Sequence, residues 1–235
     1  DACHSIGGTY KNRPVGSLAD LNTFSFHPVK HITTGEGGMI TTNDAELASR
    51  MKLFRNHGIT TDHRQRAEQG SWFYEMVDLG YNYRLTDLQS AIGMSQIKKI
   101  SYFLKKRRLI ANIYNKELSK YKYIRVPKVE KNFGHSYHLY PARINFSKLK
   151  IKKSYFFKKM KEKKINLQVH YIPIHLQPYY KKKFKYKKGD FPLAEKFYEE
   201  EVSLPIYYSL SRNKVLYIIK ILKKILGLNN KYLKP

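Results

Sequence analysis

The apolar positions of this chain follow two rhythms, one for short strands and one for helices. Thr23-Phe24-Ser25-Phe26 alternates polar and apolar, the period of a strand with one buried face, and Met39-Ile40-Thr41-Thr42 is a second apolar, β-branched strand signal. Between them Pro28 stops regular pairing and Gly35-Glu36-Gly37-Gly38 permits a tight reversal. Residues 43–58 predict a helix. Asn43 or Asp44 can cap it, Glu46 sits where a capping box with Asn43 needs it, and Leu47, Met51 and Phe54 form an apolar stripe. Residues 60–69 are polar and charged and read as a surface loop, and the aromatic-rich stretch 71–83 follows. Thr86 to Leu118 is the longest helical signal, with Thr86 as cap and a second stretch beginning at Ile100. The basic cluster Lys105–Arg108 is expected on its solvent face.

From Tyr121 onward the pattern predicts a smaller α+β domain. Residues 136–140 and 143–146 alternate as strands, and 154–164 reads as a short helix with Tyr155, Phe156 and Met160 inward. Residues 167–171 read as a strand entering a loop at Pro173. A helix with an acidic end follows at 191–201, then a short extended piece at 202–206. The amphipathic stretch 213–226 is read as a helix packing on this domain rather than lying on a membrane.

Composition narrows the class. With 42% hydrophobic and 14% aromatic residues, the 235-residue chain has enough apolar surface for a packed core. Its single cysteine, Cys3, excludes an internal disulfide framework and fits a reducing, cytoplasmic setting. No run is long and apolar enough for a membrane span, so no membrane partner is expected. The formal charge of +27 comes mostly from lysine and rises toward the C-terminal half, as in Lys181-Lys182-Lys183. No zinc spacing, basic heptad or RNP-like strand accompanies it, so neither a metal nor a nucleic acid is expected. Such a field does draw in anionic ligands.

The chemistry converges on Thr23 to Gly38, TFSFHPVKHITTGEGG, which presents Lys30 at a strand end between His27 and His31, five residues after Ser25. An amine that must lose its proton to react gains from burial and from neighbouring cations. On spacing alone, a solvated lysine on a hairpin explains the same pattern.

That stretch, together with DACHSIGGTY and DLGYNYRLTDLQSAIG, resembles the DegT/DnrJ/EryC1/StrS sugar aminotransferases, pyridoxal-phosphate (PLP) enzymes of aminotransferase fold type I. The likeness is dense to about Lys98, thinner beyond it, and recognisable again at QVHYIPIHLQPYY. It implies an α/β protein in which residues 1–98 are the C-terminal part of a large PLP-binding domain, 99–120 a connecting helix, and 121–235 a small domain. Lys30 would form the Schiff base with PLP and shuttle a proton, and Asp1 would pair with the pyridine nitrogen. His4 would lie near the ring oxygen. Ser25 would bind the phosphate, as would Asn82 from the neighbouring subunit of a homodimer. Arg84, His170 and Tyr171 become substrate candidates, with His175 a further option that is equally explained as structural. The implied reaction moves an amino group from glutamate to a UDP-linked 4-keto-6-deoxy sugar, on the way to a surface amino-sugar such as pseudaminic acid. Because the chain opens on a family motif, an N-terminal part is expected to be missing and the chain alone to be poorly active. Two readings stay open: a catalytically degenerate PLP-binding relative, which would lack the amino-donor half-reaction, and a charge-driven nucleic-acid binder, which would ignore Lys30→Ala.

Overall fold

The computed structural model describes residues 1–61 and 63–234, leaving the side chains of His63 and Arg64 aside. The chain runs through β1 (Thr9–Tyr10), β2 (Arg13–Pro14), β3 (Asn22–Ser25), β4 (Gly38–Thr41), α1 (Ala45–Phe54), α2 (His63–Gln69), α3 (Asp87–Ile97) and α4 (Ile100–Leu118). It continues with β5 (Ile124–Arg125), β6 (Phe133–Gly134), β7 (Pro141–Ile144), α5 (Lys153–Glu162), α6 (Pro178–Phe184), α7 (Pro192–Glu200), β8 (Glu201–Ser203) and α8 (Arg212–Ile225). Two compact units result. The first holds Asp1–Ser101 with Asn132–Ser136, and the second Tyr102–Lys131 with the chain from Tyr137 onward. The architecture is mixed α/β. No helix among the described residues is long and apolar enough to cross a membrane.

In the first unit β3 and β4 pair antiparallel with Ser25 opposite Gly38, while β1 pairs with both β2 and β6. Helix α1 is capped by Asp44, whose carboxylate accepts from Leu47 N at 2.9 Å, so the alternative box between Asn43 and Glu46 is not the one used. The expected stripe on α1 has no buried member, and Phe54 stays 40% exposed. Residues 63–69 are helical where a loop was expected. Being polar all round, this turn has no apolar period to reveal it, and it is held where Arg66 Nη1 donates to Thr61 O at 2.7 Å. Asp62, inside the expected loop, lies outside the described residues. The long helical signal is two helices. Thr86 opens α3 with a full capping box on Gln89, and α4 follows after Lys98 and Lys99.

The second unit is built on the antiparallel sheet β5-β7-β8. Its core joins Tyr114 and Leu118 of α4, Phe156 and Met160 of α5, Val202 of β8, and Val215 and Leu222 of α8. Each such side chain contributes on the order of 2 kcal/mol through area removed from water. Tyr114 and Tyr140 are wholly buried. Each places its hydroxyl on an acceptor, Pro205 O at 3.0 Å and Asn115 Oδ1 at 2.6 Å, and burial raises both phenol pKa values. Tyr155, expected inward, is half exposed. Residues 136–140 form no strand, since Tyr137 adopts a positive φ of 50° and β7 begins only at Pro141. Residues 167–171 meet the sheet by one bridge, Gln168 to Ser203, rather than as a strand.

Arg107 also departs from the expected solvent face. It is 5% exposed, and Nη1 donates to Tyr137 O, His138 O and Ile206 O at 3.0, 3.2 and 3.0 Å. His175 is likewise drawn into the interior. Its Nε2 meets Glu195 Oε1 at 2.8 Å in the interior, Gly189 N donates to the same oxygen at 2.7 Å, and the Phe191 ring lies 4.7 Å from the imidazole. The His175 contact first, and the Gly189 amide second, hold the Glu195 carboxyl below its usual 4.5. A depressed folded value contributes stability that is fully present above the unfolded value and is lost as pH falls through the folded one. The thermal midpoint is therefore expected to drop more steeply between about pH 5 and pH 3 in the native protein than in Glu195→Gln. Parallel slopes would remove this pair from the account of acid stability.

Candidate functional site

The site begins at the end of β3. Thr23 and Ser25 share one face of the strand, and Phe26, on the other, is buried. The chain then turns sharply. Ser25 Oγ accepts from His27 N at 3.3 Å, and Lys30 N donates to His27 O at 3.0 Å, so hydroxyl and amine leave the same turn. The return arm closes on Phe26, whose carbonyl accepts from Thr34 N at 3.0 Å and Thr33 Oγ1 at 2.9 Å. Two glutamines of α3 pin this arm: Gln96 Oε1 accepts from Thr33 N at 3.0 Å, and Gln89 Nε2 donates to Glu36 O at 2.9 Å. Lys30 itself is half-buried, and its Nζ makes no hydrogen bond or ion pair among the described residues. Neighbouring His31 is turned inward, 4% exposed, with Nε2 3.0 Å from Ser136 O.

Asp1 lies alongside the same strand, because Ala2 N donates to Thr23 O at 2.9 Å. Its Oδ1 accepts from Cys3 N at 2.8 Å. His4 is joined to this region by its carbonyl, which accepts from Ser136 Oγ at 3.0 Å. The fold thus gathers Asp1, Ser25 and Lys30 onto one strand and its turn. Asn82 and Arg84 sit on a separate strip of the same unit. There residues 75–83 zip against the tail of α1 through an Asn56–Asn82 bridge, and Arg84 Nη1 donates to Asn56 Oδ1 at 2.9 Å. Gly58, at a φ of 69°, makes the strip possible, since a Cβ there would stand 1.7 Å from Asp78 O. Much of the strip is exposed, with Leu79 at 67% and Tyr83 at 72%. His170 and Tyr171 belong to the second unit, where His170 Nδ1 lies 2.7 Å from Ser203 Oγ and Tyr171 is largely exposed.

The pattern of residues did not single out Gln89, Gln96, Glu201 or Ser203. For the last pair a signal existed: positions 201 and 203 of a strand share one face, which makes a polar pair there a candidate cluster.

These donors suit a phosphorylated aldehyde cofactor such as PLP. One strand and the turn that follows it carry the hydroxyl of Ser25 and the half-buried amine of Lys30, and Asp1 brings a carboxylate alongside that strand. A family model for the DegT/DnrJ/EryC1/StrS aminotransferases matches residues 1–223. The chain is 39% identical over 228 residues to the UDP-4-amino-4,6-dideoxy-N-acetyl-beta-L-altrosamine transaminase of Campylobacter jejuni, covering 96% of this chain and 57% of that protein. It superposes on Helicobacter pylori PseC, an aminotransferase involved in the biosynthesis of pseudoaminic acid, with a TM-score of 0.86 at 34% identity, over 97% of this chain and 58% of the other. Spr1654 of Streptococcus pneumoniae in its PLP-form gives 0.86 at 30% identity, over 100% and 58% of the two chains. The chain spans a little under three fifths of each of these relatives.

Proposed function

This chain belongs to the DegT/DnrJ/EryC1/StrS aminotransferase family, and we propose that it carries the cofactor-attaching lysine of a PLP-dependent sugar aminotransferase. The observation that carries this reading is the uncommitted amine of Lys30, set on a turn closed on Phe26 and pinned by Gln89 and Gln96. When bound, PLP supplies an electron sink that makes the carbon next to the amino nitrogen acidic. Lys30 would hold the cofactor and then move the proton at its Nζ between substrate carbon and cofactor. The Asp1 carboxylate would keep a proton at the ring nitrogen. Ser25 would donate to the phosphate, and His4 would lie near the ring oxygen. Asn82 of the partner subunit would complete the phosphate site in a homodimer, a role supported by the exposed aromatic strip that carries it.

The substrate reading is a nucleotide-linked 4-keto-6-deoxy sugar, UDP-linked, aminated at the expense of glutamate. It rests on the likeness to the C. jejuni and H. pylori proteins and on the basic field, which favours an anionic sugar nucleotide. Arg84, His170 and Tyr171 are its proposed contacts. Borohydride reduction with PLP, followed by peptide mapping, tests attachment. Label confined to Lys30 is expected, and label spread over surface lysines would defeat the assignment.

A further inference from the structure

Helix α3 docks by its polar side. Of its eleven residues only Gln89, Ser90, Gly93 and Gln96 are partly withdrawn from solvent, while Leu88, Ile92, Met94 and Ile97 stay exposed. Gln89, Gly93 and Gln96 follow at i, i+4 and i+7, so they share one face of the helix. That face rests on the arm that returns from Lys30, residues 33–36. Gln96 Oε1 accepts from Thr33 N at 3.0 Å, Gln89 Nε2 donates to Glu36 O at 2.9 Å, and a Cβ added at Gly93 would stand 3.1 Å from Thr34 Cγ2. Thr34 is buried there at 2% exposure. Its Oγ1 donates to Glu36 O at 2.7 Å and its N to Phe26 O at 3.0 Å.

Such a seat adds little to stability and much to register. A helix docked through its apolar side gains from area removed from water, whereas here those side chains face outward and each polar contact contributes only modestly. Hydrogen bonds are directional, however, and two of them at opposite ends of one helix face fix where the arm lies. Lys30 stands midway along an arch whose feet meet at Phe26, because Phe26 O accepts from both Thr33 Oγ1 and Thr34 N. The foot formed by Thr33 and Thr34 is the one that α3 holds. Moving it moves the arch that carries the amine, and a misplacement of about 1 Å at a reacting centre can cost roughly 100-fold. Glycine inside a helix is unfavourable to the helix itself. Its close approach to Thr34 gives Gly93 a reason to be there.

We propose that Gln96 and Gly93 are positioning residues, which set through the 33–36 arm where the Lys30 amine meets the PLP aldehyde. The proposal rests on the reading of Lys30 as the cofactor-attaching residue. Gln89 serves the same face, but it also completes the capping box with Thr86, so its loss would unsettle the helix as well.

The test is the rate of PLP attachment at Lys30 in the intact protein, with thermal midpoints alongside. Attachment joins Nζ to the aldehyde carbon with loss of water, and borohydride then reduces that bond for peptide mapping. Label on exposed lysines of the same molecule is the internal reference. Gln96→Met, which removes the acceptor, should slow Lys30 about tenfold against that reference, the loss of roughly one hydrogen bond, at a nearly unchanged midpoint. Gln96→Glu, which keeps an oxygen at the same reach, should restore most of the rate. Gly93→Ala should also slow Lys30, yet hold or raise the midpoint. Alanine is the better helix former, and the buried, twice-bonded Thr34 is not free to swing aside. A purely structural role would not move rate and stability apart in this way. A native rate in either folded variant overturns the proposal. So do a Gln96→Met that fails to fold, slowing matched by a fallen midpoint, and a Gln96→Glu as slow as Gln96→Met. Absence of label from Lys30 in the native protein would mark failure of the aminotransferase reading itself, and the proposal would fall with it.

Discussion

Lys30→Ala is expected to lower amino-group transfer by at least about 10³-fold, because one side chain both attaches the cofactor and moves the proton. The fold should hardly register the change. The turn is closed by backbone and threonine contacts, Lys30 N to His27 O and Thr33 Oγ1 to Phe26 O, which alanine preserves. A half-buried side chain without a partner is worth little to stability, within roughly 0.5 kcal/mol. Activity and stability should therefore separate. Neither flanking histidine can substitute for the amine: His31 is buried against the Ser136 carbonyl, and His27 is a solvent-side residue 3.9 Å from Glu36. The measurement is turnover with glutamate and a sugar nucleotide, alongside thermal midpoints of both proteins. Lys30→Ala with turnover within tenfold of the native protein would dismiss the lysine from the chemistry. A large fall in its midpoint would instead make Lys30 a structural residue.

The hairpin around Lys30 was legible from sequence because its parts are local. A strand, a turn and a second strand lie within twenty residues, and their periods and glycines can be read in place. The same holds for the caps at Asp44 and Thr86 and for the amphipathic helix α8. What escaped was non-local. Gln96 reaches back sixty-three positions to Thr33, and Glu201 answers His170 from thirty-one positions away. In the sequence Glu201 merely ends an acidic helix, and nothing nearby says that it is fully buried. Helix α2 escaped for a different reason, since a polar helix has no period to betray it.

Arg107 is the clearest case of a charge misjudged by its neighbours, and its replacement should be the most destabilising in the second unit. Among Lys105, Lys106 and Arg108 it looks solvated, yet it follows Phe103 and Leu104 on the inward face of α4 and precedes Ile110 and Ala111 there. Burial lowers its pKa to about 10, which still leaves it cationic at neutral pH, and its Nε finds no acceptor among the described residues. Burial of the guanidinium is thus a cost, offset by the three carbonyls it joins. Arg107→Met removes that cost but leaves the carbonyls of Tyr137, His138 and Ile206 without their donor. Each unsatisfied group costs about 1 kcal/mol or more, so a net loss of roughly 2–4 kcal/mol is expected. Against a total of about 5–15 kcal/mol for a typical domain, that is a large fraction. Lys105→Met, on the exposed side of the same helix, should change stability by no more than about 0.5 kcal/mol. Urea unfolding followed by far-ultraviolet circular dichroism measures both. Similar midpoints for the two variants would mean that water or backbone adjustment satisfies the carbonyls and that Arg107 is not the tie. Ile206 lies three residues beyond Ser203, so the guanidinium that holds its carbonyl also ties down the segment that leaves β8.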